Sequence, residues 1–370
     1  MPSLFYERVS AELARHGGFH NAHLHLDRAH TLEEGFVDHG RVNILDSSHL
    51  SLQSKHALIR SVHDGPAYDE DVFKARVRRA VDEMIACGTR LADTVVDVTP
   101  DRVGLTALTW MQEIARDVAG TLTLRAAAYT PLGFRDDEPH RWDLFEAGVA
   151  QADFIGSLAE ADDRDDYPEH IGLEEHYRRI LALARRTGKV AQIHTDQRNL
   201  PQEAMTERLI EVIRETGPLA AADGSPLIWA VHVISPTCYG DTRWEAFVEG
   251  LLECNIGVIS CPSGALGMRA IRPIQTPTAN SIARLLELAA AGVPVRIGSD
   301  NIADMCSPST TANLMDEVLI LSAALRFYQP SLLAKFAAGV PLDADDRAGL
   351  AEHLSKNDQE VQNVVRRWRG

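Results

Sequence analysis

The feature that most constrains the fold is a repeated pattern of a short apolar run, a polar tip and a helical stretch. Parallel strands joined by crossover helices produce this alternation, because such strands are buried on both faces. We predict strands at 18–25, 89–98, 121–130, 152–160, 189–194, 227–234, 255–262 and 293–300. Eight repeats over roughly 250 to 300 residues favour, within the α/β class, a (β/α)8 TIM barrel over a doubly wound sheet.

The segments around these runs predict a single domain over residues 1–370, with no linker and no low-complexity segment. The pattern predicts an N-terminal helix over residues 1–17 and a C-terminal helical extension over residues 341–370. The long connection at 26–70, rich in His, Ser and Asp, is expected to cover the barrel mouth as a lid or pocket wall. The loop at 160–172 is a second candidate for this role.

The amino-acid composition and net charge limit the classes of molecule that this protein can bind. The apolar share of 45% and the charged share of 24% are those of an ordinary soluble globular protein. A net charge of -16 argues against a nucleic-acid partner, which needs clustered cations, and favours a small molecule. Five cysteines without zinc-ribbon spacing indicate reduced thiols. No signal peptide and no membrane span are predicted, so we expect a cytoplasmic protein without a membrane partner, and a homo-oligomer stays open.

Histidines and one aspartate fall where strands are predicted to end. His23 and His25 share one face of the first strand, and His194, His232 and Asp300 lie at or near the ends of the fifth, sixth and eighth. Nitrogen and oxygen donors converging in this way suit one divalent metal ion, zinc or iron with manganese as a third option. A chance His-x-His pair is the alternative reading, but placement at three strand ends favours a metal site.

The residues NAHLHLD, QIHTDQ, AVHVIS and GSDNIADMCSPSTTANLMDEV resemble the motifs of the amidohydrolase superfamily, and within it the cytosine deaminase-like group. The segment GTRLADTVVDVT with the following helix is also similar to that group. The resemblance covers roughly residues 18 to 325. It implies the barrel fold, a metal-dependent hydrolase and a small-molecule substrate.

Carried to matching positions, the resemblance implies one metal ion held by His23, His25, His194 and Asp300. Asp300 would also take the proton from the attacking water, and His232 would orient or polarise the bond under attack. No lysine stands near the end of the fourth strand, so the carbamylated lysine of two-metal relatives is missing. Most relatives in the group carry a β-sandwich domain, which we expect this chain to lack.

Two positions depart from the group's pattern. Gln197 stands where the deaminases carry a glutamate that shuttles protons, and an amide cannot exchange a proton as a carboxylic acid does. Pro131 stands where the cytosine enzymes read the pyrimidine edge with a glutamine. Cytosine itself is therefore not the expected substrate. Glu160 could bridge two metals, but a solvated strand-end carboxylate is the preferred reading.

Substrate-binding candidates surround the predicted mouth: Asp196, Ser263, Arg269, Asn301 and Asp304. An arginine can bind a carboxylate with two hydrogen bonds, although a surface ion pair is the slightly favoured explanation of Arg269. Asn301 and Asp304 suit hydrogen bonds to a polar heterocycle. The alternative for both residues is a role in loop closure. Asp196 offers a proton donor or a binding group.

These observations predict a metal-dependent hydrolase of a carbon–nitrogen bond, specifically a deaminase or aminohydrolase of a small nitrogen heterocycle or related amine. Hydrolysis of an amide or cyclic amide at the same site is the alternative, and the glutamine at position 197 leans toward it. A metal-binding barrel without turnover is an alternative of another class. The retained Asp300 argues against it, because a binding protein has no need of a water-activating carboxylate.

Overall fold

A computed structural model describes residues 3–32, 35–36, 45, 55–56, 58–268 and 280–369. All eight predicted strands are present, and their ends fall within a few residues of the expected positions. They are β1 (Phe19–Leu24), β2 (Thr89–Asp97), β3 (Thr123–Tyr129), β4 (Phe154–Leu158), β5 (Ala191–Thr195), β6 (Ile228–His232), β7 (Ile256–Ser260) and β8 (Val295–Ile297).

The strands form one parallel sheet in the order β1 to β8. An isolated bridge between Leu24 and Asp300 joins its two edges, with His25 N donating to Asp300 O and Asp300 N donating to His23 O, both at 2.9 Å. Gly298 allows this approach, because a Cβ there would lie 2.8 Å from backbone atoms of His23. The predicted (β/α)8 TIM barrel is confirmed.

Helices separate the strands and cover the outside of the barrel. They are α1 (Leu4–Arg15), α2 (Ile59–Asp64), α3 (Glu70–Ala86), α4 (Thr106–Val118), α5 (His140–Gln151), α6 (Leu173–Thr187), α7 (Met205–Thr216), α8 (Asp241–Glu253), α9 (Pro262–Leu266), α10 (Leu285–Ala291), α11 (Leu314–Ala324), α12 (Pro330–Ala338) and α13 (Ala344–Arg369). Among the described residues, no helix combines the length and the apolar character needed to span a membrane. No second sheet occurs in the described part of the chain.

The helix α6 shows how the sequence produces these elements. Apolar residues recur on one face, and Tyr177, Ile180 and Leu181 on that face are buried against the barrel. Glutamates occupy its first turn and arginines its last, which complements the helix dipole. The helix ends at Gly188, whose φ of 66° is the left-handed conformation of a helix stop.

Two apolar layers position the mouth of the barrel. The larger layer lies between the strands and the surrounding helices. Val9 and Leu13 of α1 share a second cluster with Phe19, so α1 packs where β1 begins, opposite the mouth. Inside the barrel, the small clusters around Trp229 and Tyr129 fill the interior. Packed side chains in the barrel interior therefore lie next to the polar strand ends and hold them in place.

The two predicted lids differ in how much of them is described. Residues 33–34, 37–44, 46–54 and 57 of the connection at 26–70 lie outside the described residues. The loop at 160–172 is anchored by the buried Asp162, which accepts hydrogen bonds from Phe134 N at 2.7 Å and from His176 Nδ1 at 2.5 Å. This loop is therefore tied to α6 and to the end of β3.

Candidate metal centre and active site

Three imidazoles and one carboxylate meet at the mouth of the barrel. His23 lies in β1, His194 in β5, His232 at the end of β6, and Asp300 follows β8. One donor atom of each lies within 4.8 Å of the others, and all four residues are buried. Imidazole nitrogens with one carboxylate are a donor set that zinc and iron accept.

Two of these histidines have their second ring nitrogen occupied. Nδ1 of His23 lies 2.8 Å from Oε1 of Gln192, whose amide nitrogen donates to the carbonyl of Ala22 at 2.9 Å. Nδ1 of His194 lies 2.9 Å from the carbonyl oxygen of Ser157. Because these oxygens accept hydrogen bonds, each Nδ1 carries the proton and each Nε2 presents a lone pair.

The two lone pairs face each other. The Nε2 atoms of His23 and His194 are 3.1 Å apart. A hydrogen bond between them would need a further proton, making one ring an imidazolium, and burial lowers the pKa of both histidines. A divalent cation bound by both lone pairs would remove the repulsion. The residues present therefore fit a metal ion.

Asp300 supplies the negative charge of the cluster. Its Oδ1 lies 3.3 Å from Nε2 of His25 and 3.8 Å from Nε2 of His23. Burial alone would raise the pKa of Asp300, but the hydrogen bond from His25 and the electrostatic effect of the His232, His25 and His23 rings hold it well below its usual range. The group is therefore an ionised carboxylate that can bind a cation or accept a proton.

His25 lies beside the four converging donors and has different partners. A guanidinium nitrogen of Arg28 contacts its Nδ1. Since a guanidinium only donates, Nδ1 of His25 accepts and the ring proton sits on Nε2, facing Asp300. The structure thus places His232, rather than His25, in the group of four.

Sequence reasoning missed the residues that orient this cluster. Gln192 precedes His194 by two positions on a buried strand, so a polar residue on the same interior face was the available signal. Arg28 is buried 3.6 Å from Asp97, and its turn is anchored by Asp27, which accepts from Asp97 N at 2.9 Å. A charged run directly after a strand end gave no indication that the arginine would be buried.

Gln197 lies at the predicted shuttle position and is buried. Its amide nitrogen has no hydrogen-bond partner among the described residues. Beside it, at the end of β4, stands Glu160, which lines a cleft together with His56, Pro131, Leu158, Tyr167 and Arg198. The structure contradicts the solvated reading of Glu160, because this residue is only 4% exposed.

Asp196 makes hydrogen bonds to a helix, and its expected contact with substrate stays a prediction. Its carboxylate accepts hydrogen bonds from the backbone nitrogens of Met205 at 2.7 Å and Thr206 at 3.1 Å, and from the Thr206 hydroxyl. Asp196 is fully buried with a φ of 53°. Both oxygens therefore bind the first turn of α7, as a capping group does.

Asn301 and Asp304 form the loop after Asp300. The amide nitrogen of Asn301 donates to Asp304, and the Asp304 carboxylate also accepts from the backbone nitrogens of Cys306 at 2.8 Å and Ser307 at 2.9 Å. Asp304 is fully buried. The loop-closure reading therefore describes Asp304 better than substrate binding does, because its carboxylate is occupied by this loop.

The remaining candidates follow β7. Ser263 donates to Glu317 through its backbone nitrogen at 2.8 Å and its hydroxyl at 2.5 Å. This pair ties α9 to α11, so the hydroxyl is already engaged. Arg269 lies outside the described residues.

The chain was compared with known proteins. No family model matches. A pterin deaminase of Rhizobium rhizogenes is 24% identical over 315 residues, which are 83% of this chain, and the chain spans 64% of that protein's length. An uncharacterized protein of Haemophilus influenzae is 28% identical over 261 residues, 70% of this chain and 86% of its own length.

Solved structures share the fold. A 5-methylcytosine deaminase from Klebsiella pneumoniae superimposes with a TM-score of 0.70 at 20% identity, covering 86% of this chain and 72% of its own. An N-isopropylammelide isopropylaminohydrolase from Burkholderia multivorans gives 0.65 at 18% identity, covering 87% and 73%. The predicted resemblance is confirmed to this extent: the chain is similar in sequence to a pterin deaminase and shares its fold with the two solved enzymes.

Proposed function

We propose that this protein is a metal-dependent aminohydrolase that cleaves a carbon–nitrogen bond of a small nitrogen heterocycle. The observation that carries the proposal is the convergence of imidazole lone pairs and an ionised carboxylate at the barrel mouth. The relatives named for pterin, 5-methylcytosine and N-isopropylammelide support a heterocyclic substrate.

The metal ligands in this proposal are His23, His194 and Asp300, with His25 as the fourth. We assign the fourth position to His25 because its Nε2 lies 3.3 Å from Asp300 Oδ1. Binding there requires Arg28 to release Nδ1 of His25, since that nitrogen must then carry the proton. We propose zinc or iron as the metal, with manganese as the third option. When bound, such an ion lowers the pKa of a water molecule and makes hydroxide available near neutral pH.

The other residues act on the proton and on the substrate. Asp300 accepts the proton of the attacking water, because the hydrogen bond from His25 and the neighbouring imidazoles keep its carboxylate ionised. His232 orients the bond under attack from the end of β6, its ring centroid 5.3 Å from that of His194. Gln197 offers an amide to hydrogen-bond the substrate, and Asn301 does so from the loop after β8.

The absence of an acid at position 197 favours one second candidate, hydrolysis of an amide or cyclic amide at the same site. That reaction needs no proton transfer to a ring nitrogen. The two functions share the metal ligands and Asp300, so they are separated by substrate alone.

The experiment joins metal content to product release. Elemental analysis of wild type should give about one zinc or iron per chain, and His23→Ala and Asp300→Ala should lose it. Loaded wild type should release ammonia from pterin or 5-methylcytosine, or isopropylamine from N-isopropylammelide. Turnover of cyclic amides without any amine release from these heterocycles would favour the second candidate. A chain that takes up no added zinc, iron or manganese would refute the metal centre.

A further inference from the structure

Deamination of a heterocycle needs a group that both gives and takes a proton near the reacting ring. Gln197 cannot do this, because its amide does not titrate near neutral pH. Asp300 accepts the proton of the water, which leaves the proton for the ring nitrogen without a source. The structure offers one candidate that sequence reasoning had set aside, the Glu160 carboxyl group at the end of β4.

Glu160 has the geometry of a functional rather than a structural carboxyl group. It is 4% exposed, and neither carboxylate oxygen has a hydrogen-bond partner among the described residues. Structural buried carboxylates of this barrel have such partners, as Asp162 and Asp196 do. A buried carboxyl group without a hydrogen bond is costly unless a ligand supplies one. Glu160 faces the cleft at the mouth.

The surroundings of Glu160 determine its protonation state near neutral pH. Arg198 Nε lies 3.6 Å from Oε2, an ion-pair distance without a hydrogen bond. Burial raises the pKa of Glu160 to about 7, against the lowering effects of Arg198 and Gln197 and with a further rise from Asp166. A group that is partly protonated near neutral pH is suited to general acid–base catalysis.

Glu160 is also connected to the metal cluster. Leu158, two residues earlier, pairs in register with His194. The ring of Tyr129 lies with its centroid 5.4 Å from that of His194. Besides the dominant effect of burial, the charges of both Glu160 and Asp300 raise the pKa of Tyr129. Both carboxyl groups are thus close enough to Tyr129 to influence its hydroxyl group.

We propose that Glu160 is the proton-exchanging residue of this active site and takes the part that Gln197 cannot perform. This inference rests on the proposed aminohydrolase function. It assigns the substrate class more narrowly, to heterocycles whose amino-bearing carbon is doubly bonded to a ring nitrogen.

Each of the two carboxyl groups takes part in two proton transfers. Water adds its oxygen to the carbon, Asp300 takes one proton from it, and the electrons of the C=N bond move to the ring nitrogen, which receives a proton from the Glu160 carboxyl group. The C–NH2 bond then breaks as Asp300 returns its proton to the amine. Glu160 takes the hydroxyl proton as the C=O bond forms. Ammonia leaves, and both carboxyl groups regain their starting states.

The test compares Glu160→Gln with a matched buried carboxylate. In metal-loaded Glu160→Gln, kcat for ammonia release from pterin or 5-methylcytosine should fall by about 100-fold or more with little change in KM and unchanged metal content. The control is Glu203→Gln, since Glu203 is buried nearby but accepts from Ser235 and from Arg198 N at 2.9 Å. An unchanged kcat in Glu160→Gln, with active wild type, would overturn the inference and leave the proposed function intact.

A rescue and a spectroscopic readout complete the test. Glu160→Gln combined with Gln197→Glu should regain at least tenfold in kcat, because a carboxyl group returns next to position 160. Independently of turnover, the infrared difference spectrum between wild type and Glu160→Gln at neutral pH should contain the band of a protonated carboxylic acid. If wild type releases no amine from any heterocycle, the proposed function fails. If that band is absent, the proposal for Glu160 fails by itself.

Discussion

The Nε2 atoms of His23 and His194 lie 3.1 Å apart, and each ring has its Nδ1 proton held by an oxygen acceptor. Both Nε2 atoms therefore present lone pairs that can bind a cation. This relationship also makes the acceptors of the two Nδ1 protons part of the metal centre, because they decide which nitrogen carries the lone pair.

Replacing Gln192 by Leu should weaken metal binding by about 10- to 100-fold, since the acceptor that fixes the His23 tautomer is lost. The dissociation constant for zinc, measured by competition with a chelator, checks this. Gln112→Leu is the control, because the Gln112 side chain donates a hydrogen bond to the carbonyl oxygen of Gln151 far from the site. Equal zinc affinity in the two variants would contradict the role of Gln192.

The fourth ligand can be decided by a pair of variants. If His25 binds the metal, His25→Gln should lower zinc affinity by at least about 100-fold, whereas His232→Gln should keep the metal and lose kcat. Metal content after dialysis and kcat are measured for both. Loss of metal in His232→Gln alone would assign the ligand to the group of four found in the structure.

Removing the metal should destabilise the protein, because a bound ion stabilises the folded state through linkage. Adding zinc or iron to about 100 times the dissociation constant should raise the free energy of unfolding by about 2.7 kcal/mol over metal-free protein. Thermal unfolding with and without chelator measures this change. Asp300→Asn should show a much smaller increase. The same rise in Asp300→Asn as in wild type would mean that the ion binds elsewhere.

His63 should make stability depend on pH. Burial alone would lower the pKa of His63, but hydrogen bonds to Asp101 at 2.8 Å and Asp97 at 2.9 Å raise it from 6.5 to about 9. The stabilisation is therefore complete below about pH 6.5 and lost as pH rises through 9, a change of about 3 kcal/mol. Urea unfolding at several pH values tests this. The decrease should disappear in His63→Gln, and its persistence there would exclude His63 as the cause.

Asp196→Ala should affect stability more than substrate binding. Its carboxylate holds the first turn of α7, so its loss should lower the free energy of unfolding by about 1 to 2 kcal/mol. KM for an active heterocycle should change less than twofold. A large rise in KM at unchanged stability would restore Asp196 as a substrate-binding residue.

The sequence alone determined the barrel and most of the cluster. Strand periodicity located β1 to β8, and the alternation of side chains placed His23, His194 and Asp300 at the mouth, because the carboxyl ends of parallel strands meet at one end of a barrel. Local pattern was sufficient for these residues, since each lies at a strand end.

Only the tertiary structure decided how the side chains are partnered. The local pattern did not predict the partners of Gln192, Arg28 and Glu160, because these partners, His23, Asp97 and Arg198, lie far away in the sequence. The same reason explains Asp196, whose carboxylate turned toward α7 rather than toward the cleft. Periodicity determines which face of a strand a residue occupies, whereas hydrogen-bond partners and burial depend on long-range packing, which no local pattern contains.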